Sequence, residues 1–168
     1  MRSILVDAGP WIALFDRDDA RHAAMRGLLR DTAGRLITTW PVVTETSHML
    51  DFEPRAQLDF YRWVAAGGVV VHEIPQEALG WIIELVEMYG DRPMDLEDAT
   101  LVVAAEALGI QEVVSIDRDF EIYRIAGRAR FQNLYVTSEQ TTGPRGGAPH
   151  LDGWNPEGNV FRLRQGAA

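Results

Sequence analysis

Short runs of β-branched and aliphatic residues alternate along the chain with longer stretches whose apolar positions recur at helical spacing. Ser3-Ile4-Leu5-Val6-Asp7 suits a buried strand, and Asp7-Ala8-Gly9-Pro10 suits a turn into a helix with Pro10 near its first position. Ala20, Ala23, Ala24 and Leu28 predict a second helix stopping near Gly34, followed by a strand at Leu36-Ile37-Thr38. Pro41 opens a helix carrying Val42, Val43, Thr46 and Met49, another helix runs from Pro54 to Gly67-Gly68, and residues 69 to 74 form a strand. Residues 75 to 89 are amphipathic, with Leu79, Ile82, Ile83 and Val86 on one stripe. Residues 95 to 108 predict a helix ended by Gly109, 112 to 117 a strand, 118 to 127 a short helix, and 131 to 136 an edge strand. This alternation predicts an α/β fold, a three-layer α/β/α sandwich around a mainly parallel central sheet.

The periodicity stops after Thr141. Gly143-Pro144-Arg145-Gly146-Gly147-Ala148-Pro149 reads as linker, so residues 1–140 are expected to form the domain and 141–168 a Gly/Pro-rich tail, partly disordered or loosely docked. With 168 residues and 46% hydrophobic content, the chain suits one domain that buries roughly 70% of its unfolded surface. No apolar stretch approaches the ~20 residues of a membrane helix, and Met1 leads straight into the first strand without a signal pattern. The expected location is the cytoplasm, with no membrane partner.

Charge and residue usage remove several kinds of chemistry. The chain has no cysteine, so any metal must be held by oxygen or imidazole. A formal net charge of −9 argues against gripping nucleic acid over the whole surface. All 16 basic residues are arginines, the side chain best shaped for bidentate phosphate contacts. Without lysine, a P-loop nucleotide site and a Schiff-base enzyme are excluded, and a receiver-like phosphoacceptor domain loses the lysine it relies on. His22, His72 and His150 show no metal-ligand spacing, while Glu45-Thr46-Ser47-His48 supplies only one of the two Glu-x-x-His pairs a di-metal bundle needs.

The acids offer more. Ligands of open parallel sheets bind beyond the carboxyl ends of the strands, and Asp7 and Asp117 each end a predicted strand at that edge. Asp98 in the first turn of its helix and Glu45 near the start of its own could project toward the same edge. Four carboxylates brought together repel one another and raise each other's pKa unless a hard cation such as Mg²⁺ or Mn²⁺ neutralises them. Such a cation, with water in its open positions, suits phosphodiester hydrolysis. Each acid also has a purely structural alternative: Asp7 and Asp117 could cap the turns that follow them, and Glu45 could be an ordinary exposed helix residue. Asp95 suits an N-cap as well as a metal ligand, with Asp98 three residues on in a capping-box arrangement, and Asp119 likewise suits either role.

Taken together, Ile4-Leu5-Val6-Asp7-Ala8-Gly9-Pro10, Val43-Thr44-Glu45, Met94-Asp95-Leu96-Glu97-Asp98-Ala99 and Ser115-Ile116-Asp117-Arg118-Asp119-Phe120 resemble the motifs of PIN-domain nucleases, above all VapC-type toxins. The resemblance spans residues 1 to about 138. It implies a PIN-like fold, an acidic site of Asp7, Glu45, Asp98 and Asp117 with Asp95 and Asp119 as accessory metal acids, and Mg²⁺ or Mn²⁺ as cofactor. It further implies cleavage of single-stranded RNA, a homodimer, and a cognate antitoxin that blocks the acidic pocket. Two departures stand out: the hydroxyl residue often found after the first acid is absent at Ala8, and the chain runs past the usual domain end. Arg118, Arg124, Arg128 and Arg130 follow the fourth acid and could hold phosphates, or could simply form a solvated face. Two other functions compete: a PIN-like module that binds RNA or a partner without cutting, and an RNA-processing nuclease outside any toxin-antitoxin system.

Overall fold

The computed structural model describes residues 2–90 and 94–136. The tail expected over 141–168 lies outside the described residues.

Five strands build one sheet in the order β3-β2-β1-β4-β7, and every neighbouring pair is parallel. They are β1 (Ser3–Val6), β2 (Arg35–Thr39), β3 (Val70–His72), β4 (Glu112–Val114) and β7 (Gln132–Asn133). Parallel strands need crossovers, and helices supply them: α1 (Ala8–Phe15) and α2 (His22–Asp31) between β1 and β2, then α3 (Trp40–Met49) and α4 (Pro54–Ala65) before β3. The chain then passes through α5 (Leu79–Met88) and α6 (Leu96–Leu108) to β4, on the other flank of β1. Strand order therefore reverses between β1 and β4, the switch point where an open α/β sheet leaves a crevice at its carboxyl edge.

The central strand β1 is apolar because it is covered on both faces: Ile4, Leu5 and Val6 are fully buried. Helix α1 brings Trp11 against the ring of Trp63 at 5.0 Å, and Phe15 against Phe60 at 5.4 Å, which fastens α1 to α4. Helix α4 ends where the sequence places Gly67-Gly68. Gly67 has a φ of +80°, and a Cβ on Gly68 would lie 2.1 Å from the Trp63 ring, so the turn accepts no side chain there. Helix α6 is buried from Ala99 through Ala105, which holds its first turn in a fixed place.

Three expectations change. The apolar stripe assigned to α5 is rotated: Ile82 and Leu85 are buried, while Leu79, Ile83 and Val86 are exposed. Trp81 lies on the side turned to α6, where its indole N–H donates to Glu106 Oε2 at 2.7 Å. The strand expected over residues 112 to 117 stops at Val114, since Ser115 spends its backbone N–H and C=O on the Asn133 side chain of β7. The helix expected over residues 118 to 127 is one 3-10 turn, Asp119–Glu121, then a hairpin of β5 (Arg124–Ile125) and β6 (Ala129–Arg130). Ala126 and Gly127 at its tip both have positive φ, a conformation a helix cannot contain.

Candidate acidic active site

Asp7 leaves the end of β1 and caps α1. Its Oδ1 accepts the Ala8 N–H at 2.7 Å, and its Oδ2 accepts the Ser115 hydroxyl at 2.7 Å. The residue is only 7% exposed. The site thus has a hydroxyl on Asp7 although Ala8 offers none; it comes from β4's side of the switch point instead. The same Ser115 Oγ accepts the Asp117 N–H at 3.0 Å, so one serine organises the acids beyond two strands.

The first turn of α6 carries the other half. Asp95 is its N-cap, with Oδ1 accepting the Asp98 N–H at 2.9 Å. Asp98 in turn accepts the phenol of Tyr123 through Oδ2 at 3.0 Å. Between them Glu97 reaches across to α1: its Oε1 accepts the Ala8 N–H at 3.1 Å, which sets its carboxyl group in the field of Asp7. The sequence reading gave Glu97, Ser115 and Tyr123 no role. Glu97 stood in plain view between two candidate acids, but Ser115 and Tyr123 carry no signal at a residue-by-residue level, because their partners lie 108 and 25 positions away.

Electrostatics follow this geometry. Burial pushes the Asp7 carboxyl above its ordinary range, with hydrogen bonds from Glu97, Ser115 and Ala8 opposing and the charge of Asp117 adding to it. Glu97 is driven up to about 10, first by burial and then by Asp7, with the Ala8 N–H opposing. Asp98 is pushed up to about 7, first by burial and then by the charges of Asp7 and Asp95, with Tyr123 opposing. Burial and Asp98 also raise the Tyr123 phenol, which stays a donor. The charges that act most strongly on Asp7, Glu97 and Asp98 are those of other acids.

The remaining acids are less buried. Asp117 is exposed, and its Oδ1 accepts the Asp119 N–H at 3.3 Å just before the 3-10 turn Asp119–Glu121. Asp119 adds its charge to the field on Asp98. Glu45 is exposed on α3 and takes part in no hydrogen bond or ion pair among the described residues. The fold therefore brings Asp7, Asp95, Asp98, Asp117 and Asp119 into one field, while Glu45 has no bond to it. Among the described residues, no three acidic or histidine side chains stand at spacing that would hold a metal without rearrangement.

Residues 4–126 match the PIN domain family. The chain belongs to this family. Among solved structures, the PIN domain here is similar to VapC20 of Mycobacterium tuberculosis, described as a sarcin-ricin loop cleaving toxin. The two share 26% identity with a TM-score of 0.66, over 71% of this chain and 93% of the other. No curated protein matches the chain. No helix among the described residues of this PIN domain is long and apolar enough to cross a membrane.

The donor set in this PIN domain fits a hard divalent cation. It is made wholly of carboxylate oxygens, at least one buried, whose charges raise the pKa of their neighbours.

Proposed function

We propose that this PIN-domain protein is a divalent-metal-dependent endoribonuclease that hydrolyses phosphodiester bonds in single-stranded RNA, and that it is the toxin of a toxin-antitoxin pair. The observation that carries the reading is the acidic field at the sheet's switch point, in which the charges of Asp7, Asp95 and Asp119 raise the pKa of Asp98. The likeness to a VapC toxin supports the biological role.

Asp7, Asp98 and Asp117 would hold Mg²⁺ or Mn²⁺, with Glu45 reaching in from α3 and Asp95 and Asp119 as accessory acids. A bound cation supplies Lewis acidity and a water of lowered pKa at neutral pH. The chain's own work is orientation: Ser115 fixes the Asp7 carboxylate, and Tyr123 fixes that of Asp98. Arg118, Arg128 and Arg130 are exposed and suit phosphate contacts. Arg124 is engaged elsewhere, its Nη1 donating to the carbonyls of Glu121, Ile122 and Tyr123 at 3.0, 2.5 and 2.9 Å. A homodimer and an antitoxin that covers the acidic pocket are the expected assembly.

The test incubates purified protein, freed of any bound partner, with structured and single-stranded RNAs and Mg²⁺ or Mn²⁺. Cleavage that needs the metal, stops with EDTA and is lost in Asp7→Asn and Asp98→Asn proteins of unchanged circular dichroism supports the nuclease. Absence of cleavage on every RNA points to a binding module instead. Growth arrest on expression, relieved by a protein encoded alongside, separates a toxin from an RNA-processing enzyme.

A further inference from the structure

Glu97 joins two helix starts that the chain brings together from 89 residues apart. One of its oxygens shares the Ala8 N–H with Asp7 Oδ1. Ala8 is the first residue of α1, whose free N–H groups have no partner within the helix. Its neighbour Asp98 bonds in a different direction, to Tyr123. Adjacent residues on the same helical turn therefore do separate work: Asp98 faces the hairpin side and Glu97 faces α1.

We propose that Glu97 is a positioning residue for Asp7, clamping the first turn of α6 to the N-terminus of α1 and so setting the direction in which the Asp7 carboxylate meets a metal ion. The inference rests on the metal-dependent reading given above. A glutamine at this place keeps the bond, its side-chain carbonyl accepting from the Ala8 N–H. An alanine cannot. This separates a clamp from a further charged ligand, since a ligand's role is lost in both variants and a clamp's in one.

Glu97→Ala and Glu97→Gln are compared with wild type in two measurements, each after circular dichroism has shown the fold intact. In metal-free protein, amide exchange by NMR reads the Ala8 N–H: about tenfold faster in Glu97→Ala and close to wild type in Glu97→Gln is the expected result. Binding of Mn²⁺ alone, followed by calorimetry or by loss of the free-ion resonance signal, is expected to weaken roughly 10- to 100-fold in Glu97→Ala, the usual cost of losing a group that orients a metal ligand. In Glu97→Gln it stays within about threefold of wild type on the same grounds. Unchanged Ala8 exchange in Glu97→Ala, or a Glu97→Gln protein that behaves like Glu97→Ala in either measurement, overturns the clamp. A wild type that binds no Mn²⁺ overturns the metal reading and the metal-directing role with it, while the exchange data still decide whether the two helices are clamped.

Discussion

Two sides of the acidic site are built differently. On one side Asp7 and Asp98 are withdrawn from solvent and each is gripped by a hydroxyl, from Ser115 and from Tyr123. On the other, Asp117 is exposed beyond β4 and Glu45 is exposed on α3 without a bond. The gripped side is already oriented and carries its electrostatic cost in the folded protein, as raised pKa values. On the open side the Asp117 carboxylate accepts a long bond from the Asp119 N–H, and Glu45 has no bond among the described residues. A site divided in this way can hold a cation's position with one pair of carboxylates and adapt to the substrate with the other.

The contrast is broken most directly by removing charge from the gripped side. Asp7→Asn and Asp98→Asn keep size and most hydrogen bonding, and each is expected to lower the cleavage rate by roughly two to four orders of magnitude, the range for a positioned acid-base or charge-stabilising group. Single-turnover rates on a fixed RNA at saturating Mg²⁺ check this. Rates within tenfold of wild type for both variants would move the chemistry away from this side.

A second consequence concerns the metal-free protein and pH. Asp98 has a folded pKa of about 7, above its unfolded value of 3.8. A group raised in this way makes the folded state bind more protons than the unfolded one, so its contribution favours folding at low pH and is lost as pH rises. The window runs from about 4 to about 7. Urea unfolding in EDTA is expected to show Asp98→Asn gaining on wild type between pH 5 and pH 8, and saturating Mg²⁺ to narrow that gain. A gap between the two proteins that does not change with pH contradicts the assignment.

The grip itself is tested at Ser115. Its alanine variant leaves Asp7 Oδ2 without its donor, which costs stability on the order of 1–3 kcal/mol. Metal affinity or activity is expected to fall about 10- to 100-fold, less than on loss of the acid itself. A threonine, which retains the hydroxyl, should recover most of the activity. An alanine variant as active as wild type would show that Asp7 needs no such partner.

Much of this architecture was legible in the sequence, and the boundary of what was legible has a physical cause. The alternation of buried strands with helices fixed the parallel sheet, and Asp7 at the end of β1 followed from a strand running into a helix cap. Asp95 as the N-cap of α6 followed from Asp95-Leu96-Glu97-Asp98 by local bonding alone. What failed depended on distant partners. β4 ends early because of Asn133, α5 is tied to α6 by Trp81 and Glu106, and Asp7 is oriented by Ser115 and shares the Ala8 N–H with Glu97. Residues 118 to 127 looked helical by composition, but the chain needed two positive-φ residues in succession, and only Gly127 announced one.

The smallest expected effect sharpens the contrast from its open side. Glu45 bonds to nothing among the described residues, so Glu45→Gln is expected to move the metal-free unfolding free energy by no more than about 0.5 kcal/mol. The same substitution then separates its two possible roles once metal is added. A ligand that binds only the folded state stabilises it by RT ln(1 + [L]/Kd), so a tenfold loss of affinity removes about 1.4 kcal/mol of the stabilisation that saturating Mg²⁺ brings. If Glu45 swings in from α3 to complete the cation's shell, wild type and variant unfold alike in EDTA and separate by about that amount in Mg²⁺. If the two remain superimposed in both conditions, Glu45 is a surface residue of α3, and the cation's carboxylates come from the ends of β1 and β4 and the first turn of α6 alone.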